Sequence, residues 1–546
     1  MKKIILSLYC IFNITAHAQN WVWAYPFTSY SGTQLMSLKL NSAGLPYVMG
    51  WSQTKTTFNA SNGPFAFTGL NTFVTKLDNT GNVQWIGGGW GSSVWGRSMS
   101  IDKYSNCFIT GQFGGNAYFG IGSDTLHRTA STLDYFLTKL DANGKTVFFK
   151  HEGDTCDDLG TSVTAFQSDE IIVTWTDQLA CDNNDAFKSH LKKMNSSGND
   201  IWSLKQPFDG LGSNTITYAP NNGFLVSGSW FGSTLKLEGI SDTLALASTI
   251  PNSISDVFLA KYSISGNPKW VKAVRGNNYQ FVKGLTANNS NIYMGLDSWD
   301  SCFYDNILLI PKATRTHHII KTDSVGNYIK HIGFPESLYP TVFWLKDLKS
   351  DDDGNVYLLA QVDTSLCIGN DTIHFDRLPN EQALAIIKLD QNLNYIWSQH
   401  ITFGMCNCWG GELAITDSLV YVGINYDAAV SLHGSAYQFP APDVSSSSNC
   451  FVAAIQNGSI PSSIKEITEF QKINIFPNPT SGKFVIRSTK LKEITVRNIL
   501  GKKLIEERSV SGINDMYIDL SQQPKGVYLI EILSNEKKAV RKIIIE

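Results

Sequence analysis

The chain has 546 residues, 42% of them hydrophobic and only 17% charged, with a net charge of −3. That length exceeds one ordinary core, and the composition excludes a disordered, collagenous or coiled-coil chain. Nothing global attracts a nucleic-acid backbone, and a 12% aromatic share with 44 glycines points to many short strands.

The first segment reads as an address. Met1-Lys2-Lys3 is basic, residues 4–14 are apolar, and Ala16-His17-Ala18 places small residues for a signal peptidase. Residues 1–18 are therefore expected to be a signal peptide cut between Ala18 and Gln19. The apolar run is shorter than the roughly 20 residues that span a bilayer, and no later segment qualifies, so an exported chain without a transmembrane segment is predicted. Losing Cys10 leaves eight cysteines, an even number that permits disulfides outside the cell. Cys156 with Cys181 is the first expected pair. Cys406-Asn407-Cys408 has the wrong spacing for a zinc knuckle and no second pair nearby.

From residue 20 to 458 one pattern recurs seven times. Phe73-Val74-Thr75-Lys76-Leu77-Asp78-Asn79-Thr80-Gly81 leads to Trp85, and Phe136-Leu137-Thr138-Lys139-Leu140-Asp141-Ala142-Asn143-Gly144 leads to Phe148. Further copies centre on Lys193, Lys261, Lys321 and Lys388, and a degenerate one on Ala454. Each reads as a β-hairpin: Asp or Asn bonds the backbone two residues on, and Gly takes positive φ at no steric cost. A second hairpin between anchors, such as 98–102 with 107–113, makes four strands per repeat. Repeated four-stranded modules of this kind predict the blades of a β-propeller.

The phase of the repeat predicts the closure. The last copy has its first three strands at 412–416, 419–426 and 450–456 but lacks a fourth, whereas 20–27 is a solitary fourth strand. Pairing the two removes open edges. The expected fold is all-β: a seven-bladed propeller over 19–458, closed by the N-terminal strand. The recurring aromatics are expected to pack between blades.

Chemical motifs give little. Asp351-Asp352-Asp353-Gly354-Asn355 suits a hard cation but equally an Asx turn. His317-His318 should point to opposite faces of a strand and so not share a metal. Asp-Thr-Leu at Asp124 and Asp242, and Asp-Thr-Ile at Asp371, resemble a Bacteroidetes O-glycosylation sequence and also recur at one structural position. No catalytic, cofactor or metal residues are assigned, and no cofactor is expected. Ligand contacts are sought on loops 87–96, 277–281 and 403–411, with Trp90, Trp95 and Trp409 as the exposed aromatics.

After residue 464 the composition changes. Residues 465–546 carry 15 basic and 10 acidic side chains, residues 19–464 carry 27 and 37, and all 14 tryptophans lie in the earlier part. A linker is expected at 459–469. The long region resembles secreted bacterial β-propeller repeat proteins. Its hairpin is also similar to the tryptophan-docking repeat of pyrroloquinoline quinone dehydrogenases and to the Asp box of sialidases, with a different turn length in each case, so no catalytic residue transfers.

The tail carries Asn474-Ile475-Phe476-Pro477-Asn478-Pro479-Thr480-Ser481-Gly482, then Gly501, then Lys525-Gly526-Val527-Tyr528. It resembles the C-terminal sorting domain of the type IX secretion system of Bacteroidetes. The resemblance implies a small immunoglobulin-like β-sandwich at 470–546, with Pro477, Asn478, Pro479, Gly482, Gly501, Gly526 and Tyr528 as its motif. It also implies the outer-membrane translocon as partner and a destination outside the cell or on its surface. Together these predict an exported binding module for an unknown protein or glycan, the alternative being a polysaccharide lyase or glycosidase on the same scaffold.

Overall fold

A computed structural model of the chain describes residues 20–457 and 474–546, apart from 30–31, 53–56, 61–62, 67–70, 122–123, 154, 167–168, 178–187, 207–214, 220–222, 231–233, 248–254, 337–342, 370, 377–380, 405–409, 443–447, 488–490, 499–502, 509–514 and 535–536. The signal-peptide site at Ala18 and Gln19, the linker at 459–469, Gly501, Cys181, Cys406, Cys408 and Trp409 fall outside the described residues. Every long element described is a strand, so the protein is all-β. The chain divides into two compact bodies at Gly458/Ser459.

The first body is built, among the described residues, of antiparallel sheets: three of four strands, two of six, one of seven and three of two. The repeat units of the sequence are four-stranded runs within these sheets; the third, for example, is Asp158–Ala165, Glu170–Asp177, Lys188–Asn195 and Asp200–Gln206 in sequential order. The last joins Gly411–Ile415, Leu419–Tyr426 and Asn449–Gln456 to the N-terminal Trp21–Phe27. In that pairing Trp23 lies opposite Ala454 and Phe27 opposite Cys450. The two ends of the region thus share one sheet.

Register explains the repeat. Lys76 faces Trp85, Lys139 Phe148, Lys193 Trp202, Lys261 Trp270 and Lys388 Trp397, each with a bulge immediately after the pair. Trp23, Phe148, Trp202 and Trp270 each cover the turn of the next unit, where the recurring glycine stands. A Cβ on Gly81 would lie 2.6 Å from the Trp23 ring, on Gly266 3.0 Å from Trp202, and on Gly326 2.9 Å from Trp270, all at φ of +81° to +87°. Indole N–H groups donate across the same junctions, Trp23 to Asn79 O at 2.9 Å and Trp85 to Ala142 O at 3.0 Å. Glycine is therefore demanded twice, by backbone conformation and by the neighbouring ring.

One junction departs from the rule and shows why it holds. Lys330 stands where the fifth unit should carry its aromatic, opposite Lys321. The next turn then has Leu393 in the glycine position, at φ +59° and 2% exposed. Without a ring to cover the turn, a side chain from the turn fills the space. Lys330 Nζ donates to Asn392 O at 2.6 Å.

The recurring lysines also acquire a role. Their ammonium nitrogens lie over an aromatic of the second strand, as Lys388 Nζ 5.0 Å from the Tyr357 ring centre and Lys139 Nζ 5.2 Å from that of Phe108. Their ammonium groups donate to the next unit's turn, Lys139 to Ser196 O at 2.9 Å and Lys321 to Gln391 O at 2.7 Å.

The first strands of the units are neighbours in a series. Thr33–Leu40 packs beside Val83–Ile101, then come Asp158–Ala165, Thr215–Ala219, Gln280–Ala287, Phe343–Ser350 and Gly411–Ile415, which packs against Thr33–Leu40 again. Their edge N–H groups are satisfied by side chains of the preceding strand: Leu38 N–H by Glu412 at 2.9 Å, Leu413 N–H by Asp347 at 2.8 Å, Ala165 N–H by Ser100 at 2.9 Å. Burial raises the Glu412 carboxyl, but Lys39 and Lys349 outweigh it and hold the group below the ordinary range. Outer edges are covered as well. Cys302–Tyr304 adds to Pro268–Gly276, and Val430–Leu432 adds to Tyr395–Phe403.

The expected loop at 87–96 is a correction. It lies within Val83–Ile101, a single 19-residue strand that serves two units and bends at bulges at Gly91/Ser93 and Gly96/Ser98. Its glycines make room for close packing rather than for a turn: a Cβ on Gly89 would meet Phe119 at 2.5 Å, and on Gly91 the Asn116 carbonyl at 2.0 Å.

Cys156 is disulfide-bonded, while Cys107, Cys302 and Cys450 are buried free thiols and Cys367 is an exposed one.

In the second body, Asn474–Phe476, Lys483–Arg487 and Asp515–Asp519 form one sheet, and Lys503–Arg508, Leu491–Asn498, Gly526–Ser534 and Lys537–Ile545 another. Both contribute to a core that includes Phe484, Ile494, Val496, Ile518, Ile530 and Ile543. Asn478 straps the edge of the last strand, donating to Lys542 O at 2.9 Å and accepting from Ile544 N–H at 3.0 Å. Gly482, at φ +118°, passes so close to Ser521 that a Cβ would sit 2.5 Å from its Cα. Tyr528 is buried, its hydroxyl donating to Pro524 O.

Candidate functional site

The anticipated aromatics are placed apart. Trp90 is half-buried against Tyr118, 6.2 Å between ring centres, and packs at the margin of a core cluster. Trp95 is half-buried beside Trp51 at 5.5 Å, its indole N–H donating to Ser93 at 2.9 Å. Neither is exposed, because strand alternation and the intervening bulge turn both toward packed neighbours.

Another aromatic group stands on the surface where the fifth and sixth units meet. Tyr279, Trp299 and Trp344 are exposed by 38%, 37% and 37%. Tyr279 immediately precedes Gln280–Ala287, Trp299 ends Asn291–Trp299, and Trp344 lies at the start of Phe343–Ser350. Pairing sets the rest: Trp299 lies opposite Arg315, and Asp297, two residues back on the same face, is diagonal to it.

The guanidinium of Arg315 grips the fully buried Asp297 through Nε at 2.9 Å and Nη2 at 2.6 Å, a charge-assisted bidentate pair. Its carbon lies 5.3 Å from the Trp299 ring centre and 5.7 Å from that of Trp344. One cation therefore orders two indoles from different units. Lys346 sits 4.1 Å over Trp344. Tyr279 stands at 73° to Trp299, and Trp299 N–H donates to Tyr279 O at 3.0 Å, so the corner is held by the main chain too. The interval 277–281 supplies Tyr279, the part of the anticipated loop set that reaches this site. Trp299, Arg315 and Trp344 had no sequence signal beyond residue type, since none sits in the repeat motif.

A second feature is an open groove of about 480 Å³ lined by Arg128, Lys150, His151, Glu152 and Asp200 among others. Lys192 bridges Glu152 and Asp200, and His151 Nδ1 lies 2.7 Å from Asp134. No cluster of metal-ligating residues occurs among the described residues. Asp351 is engaged by Asn355 N–H and Nδ2, each at 2.8 Å, and by the Tyr357 hydroxyl at 3.0 Å, an Asx turn rather than an open cation cage. Thr243 and Thr372 of the Asp-Thr-Leu and Asp-Thr-Ile segments are exposed on the outer hairpins.

His317 and His318 are both fully buried, the first facing Phe343 and the second His331. Burial, reinforced by His331 and His317, pushes the His318 pKa down to about 3. The unfolded chain binds this proton near pH 6.5, whereas the fold does not until about pH 3. Stability is thus fully retained above about pH 6.5 and lost on acidification at up to about 1.4 kcal/mol per pH unit. Urea titrations from pH 7 to 4 should show a shallower acid slope for His318→Leu. An unchanged slope would refute this account.

Residues 474–546 match the family model described as a secretion system C-terminal sorting domain. That domain marks export through the type IX secretion system, so the protein is sent to the cell surface or the extracellular space and engages that system. No helix among the described residues is long and apolar enough to cross a membrane. A search of curated proteins finds no match.

Among solved structures, the chain is similar to a member of the duf4221 family from Bacteroides vulgatus, at 10% identity over 81% of this chain and 97% of that one, TM-score 0.29. It is similar to a luciferin-regenerating enzyme at 11% identity over 66% and 92%, TM-score 0.32. The Synechocystis apocarotenoid oxygenase matches at 10% over 79% and 96%, TM-score 0.31. None of these likenesses bears on function.

Proposed function

We propose that residues 19–458 form a seven-bladed β-propeller that acts as an extracellular binding module for protein or glycan on a Bacteroidetes cell, with the signal peptide removed between Ala18 and Gln19 and the tail at 470–546, an immunoglobulin-like sandwich, following a linker at 459–469. The ring reading is supported by the cyclic neighbourhood of the first strands and by the same turn-to-aromatic contact recurring from unit to unit, including Trp23 on Gly81.

The observation that carries the binding role is the exposed, pre-ordered corner of Tyr279, Trp299 and Trp344. Large rings left a third exposed and held in place cost burial energy unless something covers them.

The alternative reading, a polysaccharide-degrading enzyme, rests on the groove in which Glu152 and Asp200 approach one ammonium group. Incubating the mature protein with a glycan array and a panel of polysaccharides separates the two. Saturable binding without new reducing ends supports the module. Release of reducing ends, abolished by Glu152→Gln or Asp200→Asn, would establish the enzyme instead.

A further inference from the structure

We infer that the outer face of the three-stranded sheet in the second body is where the type IX export apparatus holds the tail, and that the apparatus meets it with an uncharged, apolar surface. The inference rests on the sorting domain at residues 474–546, not on the binding-module reading.

Strand alternation divides this sheet. Phe484, Ile486 and Ile518 are buried in the core, so Lys483, Val485 and Arg487 point outward, as do Asp515, Tyr517 and Asp519 on the next strand. Register then lines up one apolar row. Phe476 lies opposite Val485, and Val485 opposite Tyr517, so the row crosses all three strands. Phe476 is 41% exposed and Tyr517 75%, the highest value of any large hydrophobic side chain among the described residues. A ring so exposed adds little to the packing of its own domain. Beside it Pro477, Val485 and Tyr517 line an open groove of about 310 Å³.

Charge decides what fits. Residues 465–546 are basic overall, which by itself would favour an acidic partner. This face is not basic. Lys483 pairs with Asp519 at 3.3 Å, and Arg487 grips Asp515 through Nε and Nη2, each at 2.7 Å, while its guanidinium carbon lies 5.1 Å from the Phe476 ring centre. Two cations and two carboxylates cancel on either side of the row, leaving Phe476, Val485 and Tyr517 to make the contact.

Size decides how long the contact lasts. With strands about 4.8 Å apart and a rise of about 3.4 Å per residue, three strands of at most five residues offer roughly 240 Å² of face. A stable dimer buries about 800 Å² per partner. A second copy of the chain is therefore a poor occupant, whereas an apparatus that must release what it carries needs only a brief contact.

Photo-cross-linking in cells and export assays test the inference. With p-benzoylphenylalanine in place of Tyr517, illumination should give an adduct with a component of the export apparatus, identified by mass spectrometry. In place of Leu529, 36% exposed on the other sheet, it should give none. Tyr517→Asp should cut the protein reaching the surface and medium about tenfold, with Tyr517→Phe and Leu529→Asp near wild type. Urea unfolding of the full-length Tyr517→Asp chain should match wild type, as expected for a side chain outside the core. Undiminished export of Tyr517→Asp, an equal loss from Leu529→Asp, or adducts only with a second copy or with the first body would overturn the inference. Should Tyr517→Asp unfold, the cross-link at position 517 decides alone, and its absence would overturn the inference.

Discussion

Trp23→Ala should lower the unfolding free energy of the first body by about 3–5 kcal/mol, the cost of truncating a fully packed indole. Trp23 is 6% exposed, donates to Asn79 O at 2.9 Å and covers Gly81. Its removal leaves a cavity and an unpaired carbonyl between the last unit and the first, where the sheet is assembled from the two ends of the region. Val22, 42% exposed on the same strand, is the control, and Val22→Ala should change stability by less than about 0.5 kcal/mol. Deleting 20–27 should do more, because seven of the eight residues of Asn449–Gln456 are buried and one edge of that strand would be stripped of its partner. Aggregation is the expected result. Urea midpoints of the two point variants decide the matter. Equal midpoints would mean that the N-terminal strand does not hold the ends together.

Removing residues 474–546 should abolish appearance of the protein outside the cell while leaving the first body folded. The tail carries the sorting domain, and the first body is compact by itself. With the signal peptide intact, the truncated chain should accumulate in the periplasm with an unchanged unfolding transition. A gentler variant locates the determinant. Asn478→Ala loses the two bonds that strap the last strand, to Lys542 O and from Ile544 N–H, at about 1 kcal/mol each. Export should fall while near-native folding of the first body persists. Immunoblots of medium, surface and periplasm after fractionation provide the readout, and full export of the truncated chain would show that targeting lies elsewhere.

Much of the fold was legible in the sequence because its chemistry is local. An Asp or Asn, a glycine three residues on and a following aromatic specify a bulged hairpin without reference to the rest of the chain, and the same is true of the tail motif around Asn478 and Gly482. The phase of the repeat also placed Trp21–Phe27 against Asn449–Gln456, since a missing fourth strand at one end and a spare one at the other leave a single pairing that satisfies both.

The tertiary structure decided what glycine and tryptophan mean where contacts are distant. Gly87 to Gly96 reads as a loop by composition, yet those glycines admit Phe119 and the Asn116 carbonyl from a neighbouring strand. Lys330 and Leu393 look like lapses of the repeat until the junction between their units shows them to be complementary. The candidate site is non-local in the same way. Tyr279, Trp299, Arg315 and Trp344 are spread over 66 positions and belong to no motif. Only strand pairing and the packing of one unit on the next bring the two indoles to a single guanidinium and Tyr279 to Trp299, because side-chain proximity across sheets is a property of the folded register and not of sequence spacing.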